Sequence, residues 1–259
     1  MEILTSAQNP KIKRLLNLQQ KSADRKASGL FVVEGLREIQ HCISVGYQVD
    51  TLFCCLDIVD EAEVNNLASD KKFFVSRDVY NKVAYRGGTE GVIAEVRSRH
   101  LTLQDLSLPA NPLLIVLESV EKPGNLGAVL RTADAAQADA VIVCDPLTDL
   151  YNPNLIRSSI GAIFTVPCVA CSTADCISFL KEHGIRILTA QLQDSSLYYD
   201  TDMRPGTAIV MGTEATGLTD AWRQAADAHI RIPMLGRLDS LNVSVSAAIL
   251  AFEAVRQRQ

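Results

Sequence analysis

The chain has 259 residues, 47% of them apolar and 21% charged, which excludes a disordered polypeptide and leaves room for one large domain or two ordinary ones. No stretch approaches 18 uninterrupted apolar residues and the first residues lack an apolar core, so neither a membrane span nor a secretion signal is expected. The net charge of −5 argues mildly against a polyanionic partner, yet residues 1–30 hold six basic side chains against two acids.

Those six are Lys11, Lys13, Arg14, Lys21, Arg25 and Lys26. Such a segment can meet an acidic ligand or form a solvated helix face, and composition leaves both readings open. After it, 30–35 reads as a strand, 36–45 as a helix, 50–56 as a strand, 60–69 as a helix and 72–76 as a strand. A short helix follows, then a loop over 85–90 and a strand at 91–96. This alternation predicts an α/β unit of roughly 100 residues. The proline-bearing, aperiodic stretch 101–112 reads as a linker, which gives domains at 1–105 and 112–259.

The second half alternates more clearly. The continuous apolar run 113–120 predicts a buried parallel strand. A helix is expected over 126–137, then strands at 140–144, 163–169, 185–191 and 207–211 with helices between them. The final helix, 243–257, carries two apolar stripes: Val243, Ala247, Leu250, Ala251 and Ala254, and Val245, Ala248, Ile249 and Phe252. A helix lying on one face of a sheet needs only one stripe, so the second points to a subunit interface.

Three strand-end segments carry glycine together with polar side chains. In the first, residues 118–134, Asn125 reads as a helix cap and Arg131 projects from the helix that follows. The second, 209–218, sets Glu214 between Gly212 and Gly217. In the third, 230–246, Ser240 or Asn242 is placed to cap the final helix or reach a ligand. Each alone fits an ordinary capped turn, but their convergence on one side of a sheet favours a ligand site. There is no G-x-G-x-x-G after a strand, no G-x-x-x-x-G-K-[ST] and no G-x-S-x-G, which disfavours dinucleotide, P-loop and hydrolase chemistry. The odd number of cysteines, seven scattered along the chain, suits a reducing cytosol. Cys168 and Cys171 form a lone C-x-x-C that reads as structural, the four histidines show no ligand spacing, and no metal is expected.

At these three segments the sequence resembles the SpoU (TrmH) family of RNA ribose 2'-O-methyltransferases, within the SPOUT superfamily. The matching residues are Asn125-Leu-Gly-Ala-Val-Leu-Arg131, Met211-Gly212-Thr-Glu214-Ala-Thr-Gly217, and Ile232-Pro-Met234-x-Gly236-x-x-x-Ser240-Leu241-Asn242. Ala215 departs from the second glycine usual there. Phe31-Val-Val-Glu34-Gly35 and Gly91-Val-Ile-Ala are similar to the ribosomal-protein-L30e-like substrate-binding domain that often precedes the catalytic one.

The resemblance implies a parallel-sheet SPOUT domain with a deep trefoil knot, preceded by a smaller L30e-like α/β domain, in a cytoplasmic homodimer. It implies AdoMet (S-adenosyl-L-methionine) held near Gly212, Gly217, Ile232, Met234, Leu241 and Asn242. Arg131, Asn125, Glu214, Ser240 and Asn242 would form the catalytic and ribose-facing set. Lys11, Lys13, Arg14, Arg25, Lys26 and Glu34 are the candidate RNA contacts. Ribosomal RNA of the 23S type is the expected substrate, with transfer RNA or a non-catalytic role in ribosome assembly as alternatives.

Overall fold

The computed structural model describes residues 3–85, 90–213, 216–237 and 239–259. The chain divides into two units, Met1–Arg99 with Tyr151–Phe164, and His100–Leu150 with Thr165–Gln259.

The first unit opens with strand β1 (Ile3–Leu4) and helix α1 (Pro10–Gln20). Pro10 starts that helix, where a missing N–H costs nothing, and the Asn9 side chain accepts from the Lys11 amide. Ile12, Leu15 and Leu18 bury one face of it. Helix α2 (Ser22–Ser28) ends at Gly29 in the left-handed conformation. There follow β2 (Leu30–Glu34), α3 (Leu36–Ser44), β3 (Val49–Cys54), α4 (Glu61–Asn65), β4 (Lys71–Val75), α5 (Arg77–Val83) and β5 (Val92–Arg97). The sheet order is β1-β4-β3-β5-β2, with β5 antiparallel to both neighbours and the other pairs parallel.

In the second unit β6 (Leu113–Glu118) is followed by α6 (Pro123–Ala135) and β7 (Ala140–Cys144). The chain then supplies α7 (Pro153–Ser159) and α8 (Ala162–Thr165), most of which belongs with the first unit. There the Tyr151 ring stacks on Phe31 at 4.2 Å between centroids, and Phe164 meets Tyr47 edge-on at 5.3 Å. Returning to the second unit, the chain forms β8 (Cys168–Cys171), α9 (Thr173–Glu182), β9 (Arg186–Ala190), β10 (Ser196–Leu197), β11 (Thr207–Met211), α10 (Asp220–Ala225), β12 (Ala228–Arg231) and α11 (Val243–Arg258). These strands form a parallel sheet in the order β10-β12-β9-β11-β6-β7-β8. Strands β6, β7 and β11 are buried along their whole length, as their unbroken apolar runs require.

Three expectations differ from the structure. The strand predicted at 163–169 is a helical turn, α8, followed by β8; Pro167 separates them and Ile160 and Gly161 lead in with positive φ. Helix α6 starts at Pro123, so Asn125 lies in its first turn and is not its cap. Arg25, a candidate RNA contact, is buried, and its Nη1 donates to the carbonyl oxygens of Leu18 (2.6 Å) and Gln19 (3.3 Å). It satisfies the open end of α1 and has no surface to offer a phosphate.

Candidate active site

The three segments singled out in the sequence meet at the carboxyl ends of β6 and β11 and the amino end of α11. Ser119, directly after β6, has a positive φ of 52° and turns the chain out of the strand. Asn242 caps α11: its Oδ1 accepts from the Ser244 amide (3.0 Å) and hydroxyl (2.6 Å). Its Nδ2 donates to Asn125 Oδ1 at 3.1 Å, tying the first turn of α6 to the start of α11.

The loop after β11 is held from two directions. Thr213 and Gly217 exchange backbone hydrogen bonds of 3.2 and 3.0 Å, and the Thr213 hydroxyl accepts from the Thr216 amide at 3.0 Å. A Cβ on Gly212 would lie 2.2 Å from the Gly217 carbonyl oxygen, so only glycine allows this approach. From the strand side, the buried carboxylate of Glu118 accepts from the Thr219 amide (2.8 Å), the Thr219 hydroxyl (2.7 Å) and the Thr173 hydroxyl (3.2 Å). Glu118 therefore fixes the exit of the loop to the end of β6, a positioning role that sequence reading did not assign to it.

A cavity of about 360 Å³ opens beside this loop, lined by Gln191, Gly212, Thr216, Gly217, Ser240 and Leu241 among others. A second, of about 150 Å³, is lined by Ser119, Lys122, Asn125 and again Gly212. Gln191 was missed because only its position after a strand marks it; its Oε1 is buried with no hydrogen-bond partner. Gly212, Gly217, Ser240, Leu241 and Asn125 are thus brought to the cavities, and Asn242 borders them through Asn125. Ile232 and Met234 are half-buried and line neither cavity, and Arg131 stands exposed on α6 outside both linings. Glu214 and Ala215 lie outside the described residues.

In the first unit, the basic residues have separate fates. Lys13 and Lys26 are exposed, while Lys11 rests its ammonium over the Phe73 ring at 4.4 Å from the centroid. Arg14 pairs with Glu95 at 2.6 Å and with Asp50 at 3.3 Å. Burial nevertheless pushes the Glu95 carboxyl up to about 7, against the pull of Arg14, and its second oxygen has no partner. Glu34 accepts from the Tyr85 amide at 2.9 Å and lines a cavity of about 330 Å³ with Glu38, Tyr85 and Arg157.

Family comparison settles the class. The SpoU rRNA methylase family profile matches residues 112–252, more than half of the chain, and an MRM3-like substrate-binding domain profile matches residues 9–94. The chain belongs to the SpoU rRNA methylase family. Among SpoU relatives, the 23S rRNA (guanosine-2'-O-)-methyltransferase RlmB of Vibrio vulnificus is 35% identical over 86% of this chain and 90% of its own. The 23S rRNA (guanosine(2553)-2'-O)-methyltransferase RlmP of Bacillus subtilis is 28% identical over 97% of this chain and 98% of its own. The AdoMet-bound rRNA methyltransferase of Sinorhizobium meliloti superposes with a TM-score of 0.89 at 29% identity, covering 98% of this chain and 97% of that one.

Proposed function

We propose that this SpoU-family chain transfers the methyl group of AdoMet to a ribose 2'-hydroxyl of ribosomal RNA, on a guanosine of 23S rRNA as its relatives' names state for them. The observation that carries the reading is the ligand-sized cavity built from the Gly212–Gly217 loop and the Ser240–Asn242 turn, bridged to α6 by the Asn125–Asn242 hydrogen bond. AdoMet fits the residues present: Gln191 offers a buried acceptor lacking a donor, Gly212 lets the loop close on itself, and the open side of Gly217 permits close approach of an adenosyl group.

AdoMet, when bound, would supply a sulfonium-activated methyl: its carbon–sulfur bond breaks as a bond from that carbon to the 2'-oxygen forms, S-adenosyl-L-homocysteine leaves, and the 2'-proton is lost. The chain's own residues divide that work. Gly212, Gly217 and Leu241 hold the cofactor, and Asn125 with Asn242 sets the geometry of α6 against α11. Arg131 is exposed, so its guanidinium can meet groups brought in by RNA. A guanidinium already carries its proton in a protein, which makes it a poor proton acceptor. It binds an RNA phosphate and stabilises the developing alkoxide, whose proton passes to solvent. Arg131→Ala should lower kcat at least 100-fold with AdoMet affinity within about twofold; equal loss of both, by calorimetry and methyl-transfer assay, contradicts the role.

The second apolar stripe of α11 supports a homodimer. Val245 and Phe252 are each 46% exposed, while Val243, Ala247, Leu250, Ala251 and Ala254 are buried within the chain. The strand order, with β11 between β6 and β9, suits the knotted topology of the family. Lys13 and Lys26 are exposed cations on the N-terminal helices and suit RNA phosphates. All seven cysteines are unpaired and no described helix is long and apolar enough to cross a membrane; a cytoplasmic setting, where ribosomal RNA is found, fits both.

A further inference from the structure

The thiols of Cys144, Cys171 and Cys176 lie within 4.8 Å of one another, although the sequence spreads them over two strands and a helix. Cys144 ends β7 and Cys171 ends β8, and the two are direct partners in the parallel register, so both side chains leave the sheet on the same face. Cys176, at the end of the first turn of α9, packs onto that face. Cys144 and Cys176 are fully buried. Cys171 is half-buried and borders a cavity of about 450 Å³ that it shares with Asp175, Phe179 and Glu182, which leaves a path from solvent.

We propose that this triad binds a thiophilic divalent cation, Zn2+, through three thiolates, with water completing the fourth position from the cavity. Zinc–sulfur bonds of about 2.3 Å require sulfurs roughly 4 Å apart, a spacing within the limit the three thiols already meet. Hard cations such as Mg2+ and Ca2+ demand oxygen ligands and are not suited to it. Binding releases three thiol protons to solvent and leaves the zinc–thiolate group with one net negative charge. The amino end of α9, ten residues long, faces that charge favourably. A disulfide would use only two of the three thiols and leaves the third position unexplained. The ion would fasten β8, the edge strand of the sheet, and α9 to β7, whose Cys144 is the register partner of Glu118.

The full-length protein, reduced and stripped by a chelator, is titrated with Co2+ as a spectroscopic stand-in. One equivalent should give a thiolate-to-cobalt charge-transfer band in the near ultraviolet that Zn2+ abolishes by displacement. Cys171→Ser should weaken uptake at least tenfold, and Cys168→Ser, a buried cysteine outside the triad, should leave it unchanged. On the unmutated protein, one equivalent of Zn2+ should slow alkylation of Cys171 at least tenfold, a readout that no folding defect can imitate. Absence of the band, uptake unaltered by Cys171→Ser in a protein of unchanged circular dichroism, unprotected Cys171, or a disulfide formed in place of ion uptake would each overturn the proposal.

Discussion

At the residue scale, a few side chains carry the arrangement of the site. Glu118 receives three hydrogen bonds at a buried position, so Glu118→Ala leaves the Thr219 amide without its acceptor and should destabilise the protein by about 2–3 kcal/mol in denaturant unfolding. Gly212 touches backbone on its open side. Gly212→Ala forces the Gly217 carbonyl away and should weaken AdoMet binding at least tenfold, about 1.4 kcal/mol, by calorimetry. Glu95 makes stability depend on pH. Its carboxyl titrates near 7 in the fold against 4.5 in the open chain, so its favourable contribution is complete below 4.5 and is lost as pH rises to about 7. The loss amounts to about 3 kcal/mol, and Glu95→Gln should flatten the unfolding free energy across that interval. An unchanged pH profile would show that Arg14 keeps the group ionised throughout.

At the element scale, α11 joins three tasks: it buries one stripe against the sheet, presents another outward, and is capped by a residue of the site. Asn242→Ala removes cap and bridge together, whereas Asn242→Asp keeps an acceptor for the Ser244 amide and removes the donor to Asn125. The alanine variant should lose about 1 kcal/mol of stability and the aspartate variant little, while both lose activity. The homodimer proposed on the outward stripe predicts that Phe252→Glu is a monomer in light scattering where the unmutated protein is a dimer; a monomer in both contradicts it. Strand limits at β7 and β11 were legible because a parallel strand buried on both faces is a bare apolar run between polar ends. The stretch 163–166 misled for the same reason: apolar, partly β-branched residues fit a helical turn as well as a strand, and the backbone at Ile160 and Gly161 decided it. Strand β12 went unread because four residues containing His229 and Arg231 give no apolar run. The thiol triad was illegible because register, not spacing, assembles it; attention to Cys168 and Cys171 paired residues that point to opposite faces of one strand.

At the scale of the whole molecule, the residues of the sequence motifs divide between the cavity beside the β11 loop and its surroundings. Gly212, Gly217, Ser240 and Leu241 line one cavity, whereas Ile232, Met234 and Arg131 do not. A motif names residues by type and order, and the fold decides which of them reach the cavity. The basic segment shows the same limit: Arg25 was drawn inside to close a helix, and Arg14 is engaged by carboxylates. RNA affinity should therefore fall with Lys13→Ala and Lys26→Ala, each reducing the salt dependence of binding by about one charge. The most direct test of methyl transfer uses unmodified 23S rRNA, the purified protein and AdoMet labelled in its methyl group, followed by alkaline hydrolysis. The expected result is label in an alkali-resistant dinucleotide containing 2'-O-methylguanosine, absent with Arg131→Ala; label on a base, or none at all, would contradict it.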